Sequence, residues 1–293
     1  MHPTLLELPT PWGILPLHSY SVTLFLAILM SWYFVLHFGS EEEGLPRGWM
    51  VDAFWASVLA GLIGGHLLFA LEHASEFRSL DHWLELDRGG ILGFGSLLTG
   101  TLSSFLYCRR HRVDFGTWAD VAAPMVGACV LFIRVGCYLY GCDFGRPLPE
   151  QAPQWLAELG RFPAWPPSGD DTIAPFRTNG SPVFAHHVTH YGLASDASHS
   201  LSVHPVQLYE AALGGFLFLI GMILQQYRQY RGQAFLIVLM LYAFFRIGFD
   251  SIRAEHAQAI TIFSITLSQG LAALSVIACL IIHVRVVRHP SAH

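Results

Sequence analysis

Between Ser19 and Val284 the chain turns apolar for about 20 residues at a time, the length that crosses ~30 Å of hydrocarbon at 1.5 Å per residue. That pattern leaves few folds open. In hydrocarbon every backbone N–H and C=O must find a partner within the protein, so runs of this length are read as helices. Seven fit: Ser19–Phe38, Met50–Leu71, Gly90–Leu106, Trp118–Tyr140, Pro205–Gln225, Gln233–Phe249 and Ile260–Val284. The third is short and Gly-rich. The expectation is an all-α integral membrane protein, one membrane domain over residues 1–293 with about seven transmembrane helices. Composition agrees, with 53% hydrophobic and 13% charged residues and a mean hydropathy of +0.45. A net charge of −5 argues against nucleic acid as a partner.

Arginine placement sets the expected orientation. All 16 basic residues are Arg, and Arg109, Arg110, Arg112, Arg228, Arg231, Arg285 and Arg288 follow spans three, five and seven. By the positive-inside rule those ends face the cytoplasm, which puts the N-terminus outside and the C-terminus inside. Met1–Leu17, broken by four prolines, is no signal peptide and a poor helix; it reads as a short amphipathic segment on the outer surface. The long connection 142–203, between spans four and five, reads as a small extracytoplasmic head. Five cysteines make no disulfide framework, although Cys137 and Cys142 bracket a helix end and a bridge between them is open. His186, His187, His190 and His199 fall in the head without convincing ligand spacing, so neither a metal nor another cofactor is expected.

Ionisable residues are costly inside a bilayer and mark sites or buried ion pairs there. Arg134, Glu210, Arg246 and Asp250 all fall toward the outer ends of their spans, and Arg246 and Asp250 share a helix face four residues apart. Asp120 lies at the opposite end. His204-Pro-Val-Gln-Leu-Tyr-Glu210 brings an imidazole, an amide, a phenol and a carboxylate to the mouth of span five. His204, Gln207 and Glu210 recur at a spacing of three and should share a helix face. Guanidinium forks suit phosphate or carboxylate. At headgroup depth the expected ligand is an anionic phospholipid, with Gly145-Arg146 adding a tight turn and a third guanidinium.

Five segments in order resemble the prolipoprotein diacylglyceryl transferases of bacterial inner membranes. They are HSYSV at 18–22, GGILGFGSLLTG at 89–100, DVAAPMVGACVLFIRVGCYLYGCDFGRP at 120–147, HPVQLYE at 204–210 and YAFFRIGFDSIR at 242–253. The resemblance maps an essential Tyr onto Tyr20, the signature Arg and Gly onto Arg134 and Gly145, and a second essential Arg onto Arg246. The sequence departs where Phe94 replaces a usual His, Cys137 an Asn, Cys142 an acid, Asp250 a Glu and His66 an Arg.

The resemblance implies transfer of the diacylglyceryl group from phosphatidylglycerol to the lipobox cysteine thiol of a preprolipoprotein, the first step of lipoprotein maturation. A free thiol of pKa ≈ 8.5 is little ionised near neutrality, so such a site needs a base or a cation field, and stabilisation of the leaving phosphate. Arg134 and Arg246 are expected to hold the phosphate, and Glu210 and Asp250 to orient them. With Phe94 unable to accept a proton, His204 is the replacement base. Tyr20, Tyr242 and Gln207 are expected to bond headgroup oxygens. Two other readings stand beside this one: a non-catalytic lipid- or lipoprotein-binding relative, and a membrane redox or transport protein working through Cys137 and Cys142.

Overall fold

The apolar runs do fold as helices. In the computed structural model, which describes residues 4–11, 13–72, 93–164, 181–254, 261–262 and 265–288, long helices run Ser19–Glu41, Arg47–Glu72, Gly93–His111, Phe115–Tyr140, Val206–Tyr227, Gln233–Ile252 and Leu267–Arg288. Two short ones, Gln154–Leu159 and Pro182–Tyr191, belong to the connection read as a head. Six of the long helices are long and apolar enough to cross a membrane. The protein is therefore an all-α, multi-pass membrane protein, and its sheet among the described residues is two small hairpins. The chain divides into two compact units. The first takes Met1–Leu29, Gly127–Phe216 and Gly248–Gln258, and the second Met30–Val126, Leu217–Ile247 and Ala259–His293.

In the second unit, Gly93–His111 is the helix that lacks the apolarity of the other six, and its packing shows why it needs less. It lies along Arg47–Glu72 through small residues: a Cβ on Gly64 would stand 2.2 Å from Thr99, and one on Gly95 2.9 Å from the Gly64 carbonyl. Three of its hydroxyls reach that neighbour. Thr99 Oγ1 donates to the Ala60 carbonyl (2.9 Å), Ser103 Oγ to that of Ala56 (3.2 Å), and Ser104 Oγ meets Ser57 Oγ at 2.7 Å. Close approach of small residues and interhelical hydrogen bonds are how helices associate in lipid, where apolar surface gives no drive. The same unit buries Asp120 completely. Its carboxylate accepts from the N–H groups of Gly232 (2.7 Å) and Phe235 (3.1 Å) at the start of Gln233–Ile252, and from Arg228 (3.2 Å), which also pairs with Glu43.

The first unit opens on two strands. Thr4–Thr10 and Gly13–His18 pair antiparallel, Thr10 opposite Gly13, so the N-terminal segment, expected to avoid helix, takes the form of a β-hairpin. A two-stranded sheet has only edge strands, and these tolerate proline. The head has its own core of Phe144, Phe162, Val183 and Val203. Gly160 approaches Val203 so closely that a Cβ would lie 1.9 Å from its carbonyl oxygen. Ser181 caps Pro182–Tyr191 by accepting from Phe184 N–H (3.3 Å), and Gly192, at φ +66°, ends it.

Candidate active site

Within the first unit, two arginines and three acids join in one chain of ion pairs. Arg134, in the last two turns of Phe115–Tyr140, gives its Nε to Glu210 and its Nη1 to Asp143. The other Asp143 oxygen takes Arg253 Nη2, and Arg253 Nη1 lies 3.9 Å from Asp250 Oδ1. Glu210, Asp250 and Arg253 are buried. Burial on this scale is tolerable because each charge faces an opposite one.

Local backbone chemistry sets this geometry. The helix stops at Tyr140, where the Cys137 carbonyl accepts both Gly141 N–H (2.7 Å) and Cys142 N–H (3.1 Å) and Gly141 turns at φ +85°. Asp143 follows at φ +57°, a left-handed conformation that Asp tolerates better than most residues. The turn presents its carboxylate to both guanidiniums. The chain beyond is stitched to two remote segments: Gly145 N–H donates to the His204 carbonyl (3.0 Å), His204 N–H to Arg146 (3.0 Å), and Arg146 N–H to Ile252 (2.8 Å). A Cβ on Gly145 would lie 2.7 Å from His204 and Val206, so the stitching requires glycine there.

Several expected residues meet around this network. Glu210 holds Arg134, as supposed. Gln207 is fully buried and donates to the Cys142 carbonyl (2.6 Å), while its Oε1 has no partner among the described residues. Tyr20, half-buried in the first turn of Ser19–Glu41, lies within electrostatic reach of Arg134, Asp143, Cys137 and Cys142. Gly136 permits that approach, since a Cβ there would stand 3.3 Å from the Tyr20 Cα. Arg146 is exposed and joins through its backbone. Arg246 and Tyr242 belong to the second unit, Arg246 buried and Tyr242 packed with Ala243 and Ala272. Phe94 occupies the first turn of Gly93–His111, also in the second unit.

The structure also revises and settles details of the expected site. His204 does not share a helix face with Gln207 and Glu210: the helix begins at Val206, after Pro205, and His204 sits in the stitched segment before it. Burial lowers its pKa below the usual histidine range, which keeps the ring neutral. The bridge left open between Cys137 and Cys142 is not formed. And Cys142 does not leave the network short of an acid, because Asp143, the next residue, supplies the carboxylate. Sequence reasoning missed Asp143 and Arg253, although both stood inside segments it had marked; Arg253 is three residues after Asp250, just past the end of Gln233–Ile252 and bridged to Gly145.

The thiols are part of the site. Cys137 Sγ lies 3.4 Å from Asp143 Oδ2 and 3.8 Å from Arg134 Nη1. The Sγ atoms of Cys137 and Cys142 and a carboxylate oxygen of Asp143 all fall within 4.8 Å of one another. In the head, the His186 and His190 rings lie tilted with centroids 4.4 Å apart, and His187 is fully buried with Nδ1 accepting from Leu201 N–H (3.2 Å). Burial pushes the His187 ring down to about 4.

A family model described as prolipoprotein diacylglyceryl transferase matches residues 8–285. Among curated proteins, the phosphatidylglycerol–prolipoprotein diacylglyceryl transferase 2 of Streptomyces coelicolor is 25% identical over 295 residues, covering 95% of this chain and 78% of that protein. The corresponding transferase of Dehalococcoides mccartyi is 24% identical over 267 residues, 87% of this chain and 88% of its own length. That of Clostridium tetani is 27% identical over 147 residues, so the match spans 50% of this chain and 57% of the relative. With a match over nearly its whole length and a buried Arg134 network on the signature segment, the chain belongs to the prolipoprotein diacylglyceryl transferase family.

Proposed function

We infer that this protein transfers the diacylglyceryl group of phosphatidylglycerol to a prolipoprotein, the acceptor being the thiol of the lipobox cysteine in the signal peptide. The observation that carries this reading is a guanidinium, Arg134, locked by two carboxylates on the segment that identifies the family. The reaction takes place at the outer face of a bacterial inner membrane, with the N-terminus outside and the C-terminus in the cytoplasm. Arginine-rich loops after spans three, five and seven support that orientation.

In the step itself a C–S bond forms as the glyceryl C–O bond breaks, and glycerol phosphate leaves with the electron pair. Arg134 binds the phosphate and stabilises the charge gathering on it, and Arg246, one helical turn before Asp250, is the second guanidinium assigned to that task. Glu210 and Asp143 fix the Arg134 plane, so little reorganisation is required when the charge develops. Tyr20, Gln207, Gly145, Arg146 and Tyr242 are assigned to headgroup binding, Gln207 through the carbonyl oxygen left over from its bond to Cys142. His204 takes the thiol proton; a ring kept neutral by burial is in the right state to accept one.

Expression in a bacterium depleted of its own transferase tests the reading. The wild-type chain should restore lipoprotein modification, and Arg134→Gln and Arg246→Gln should each lose it at equal membrane abundance. Modification surviving both substitutions would remove the phosphate clamp. A well-inserted wild-type chain that modifies nothing would favour the lipid-binding alternative.

A further inference from the structure

The thiols beside Arg134 have no part in the mechanism above, and their geometry suits one. Two sulfur donors and a carboxylate oxygen converge within 4.8 Å, with one S···O separation of 3.4 Å. Ligands of zinc at 2.0–2.3 Å from the ion stand roughly 3.3–3.8 Å apart on a tetrahedron, so small side-chain rotations close this set around a metal. We propose that Cys137, Cys142 and Asp143 bind a thiophilic divalent cation, zinc by preference, and leave its fourth position for the acceptor thiol.

Three features favour a site over a chance cluster. The ligands come from a helix end and the turn after it, which is fixed by Gly141 and by the Gln207 bond to the Cys142 carbonyl. Cys137 is buried and Cys142 half-buried, so the set is shielded yet reachable. Charge also balances: two thiolates and one carboxylate outweigh a dication, and Arg134 and Arg253 then face a net anion. The two arginines already hold Asp143, as hydrogen-bonding partners of ligating carboxylates do in metal sites. A three-ligand set with an open position is the catalytic arrangement for zinc, and a thiol that joins it is deprotonated outright. The site would thus lower the pKa of the attacking cysteine, and His204 takes the proton that its S–H releases, a task that Phe94 cannot perform. This inference rests on the transferase reading and names how the acceptor is recognised.

The full-length protein, purified in detergent and desalted, is assayed for metal by mass spectrometry and refilled with cobalt. Wild type should hold close to one zinc per chain, and its cobalt form should show thiolate-to-cobalt charge transfer. A lipobox peptide should shift the cobalt bands, and the same peptide with Ser for Cys should not. Cys137→Ser and Cys142→Ser should each lose most of the metal. No zinc or cobalt uptake by wild type, full retention in both Ser variants, or loss of two hydrogens to a Cys137–Cys142 disulfide would each overturn the proposal. Diacylglyceryl transfer is measured on the same samples. Transfer without metal refutes the metal site alone, whereas metal uptake and band shifts without transfer uphold the site and refute the transferase reading.

Discussion

Asp143→Asn tests how the ion-pair chain prepares Arg134. The amide has the shape of the carboxylate and, like it, tolerates φ +57°, so the turn after Tyr140 should keep its course and only charge should change. Both hydrogen bonds lose their charged acceptor: the amide oxygen can accept from only one of Arg134 and Arg253, and its NH2 group meets the other guanidinium donor to donor. Such bonds contribute ~1.5–3 kcal/mol each. Asp143 is 29% exposed, so water softens the loss and the lower value applies, giving about 3 kcal/mol in all. If that energy holds Arg134 in the geometry the departing phosphate needs, transfer should slow by roughly 10²-fold, at 1.36 kcal/mol per decade. The assay is the initial rate of diacylglyceryl transfer to a lipobox peptide in membranes of matched protein content, read beside the melting temperature. Arg253→Gln should slow transfer less, since it leaves the Arg134–Asp143 pair in place. The double variant should be little worse than Asp143→Asn alone, because the contact that Arg253→Gln breaks is one that Asp143→Asn has already broken. A rate within threefold of wild type with unchanged melting, or full additivity with Arg253→Gln, would refute the reasoning.

Two pH experiments follow from the imidazoles of His187, which is buried, and His204, which is half-buried. For His187, held near 4 by burial, the native head binds fewer protons than the unfolded chain as pH falls from about 6.5. Its contribution is therefore complete above pH 6.5 and drains away toward pH 4, by at most about 3 kcal/mol. His187→Gln should flatten the acid-side loss of protection in Pro182–Tyr191 measured by hydrogen exchange, and an unchanged acid limb would count against burial as the cause. For His204, whose pKa burial also lowers, the wild-type rate should fall only as pH drops below the usual histidine range. His204→Asn should be slow and insensitive over that interval; a variant with the wild-type profile removes it as the base.

The membrane class was legible from run length alone, because hydrocarbon leaves a spanning backbone almost no choice. So was the family, because HPVQLYE and the segment around Arg134 carry it. What stayed hidden was set by tertiary partners. Gly93–His111 looked weak on hydropathy, a scale that scores a hydroxyl as if it faced lipid, whereas Thr99, Ser103 and Ser104 face Arg47–Glu72. Asp143 is masked in the sequence by its neighbour, since the position that carries the family's acid is 142, a cysteine here. The side chain that reaches Arg134 is chosen by the dihedral angles of the turn, which string alignment does not see. His204 was put on a helix by counting threes, yet Pro205 supplies no N–H and marks the helix entrance instead. The hairpin at Thr4–His18 was read only as a failure to form helix, since prolines announce what a segment avoids more clearly than what it adopts.

Asp120 carries a consequence for how the chain is made. Its partners Arg228, Gly232 and Phe235 are translated more than one hundred residues after it. While the ribosome is still supplying the intervening spans, a carboxylate at the start of Phe115–Tyr140 stands without the groups that will hold it, and an unpartnered charge resists entry into hydrocarbon. The fourth span therefore enters the bilayer with one end poised at the water surface. The expectation is that it settles when the turn between the fifth and sixth spans arrives and closes on Asp120. Assembly acquires an order: a late segment completes an early one, and a chain truncated before Arg228 lacks the clasp that fixes the depth of a helix already inserted.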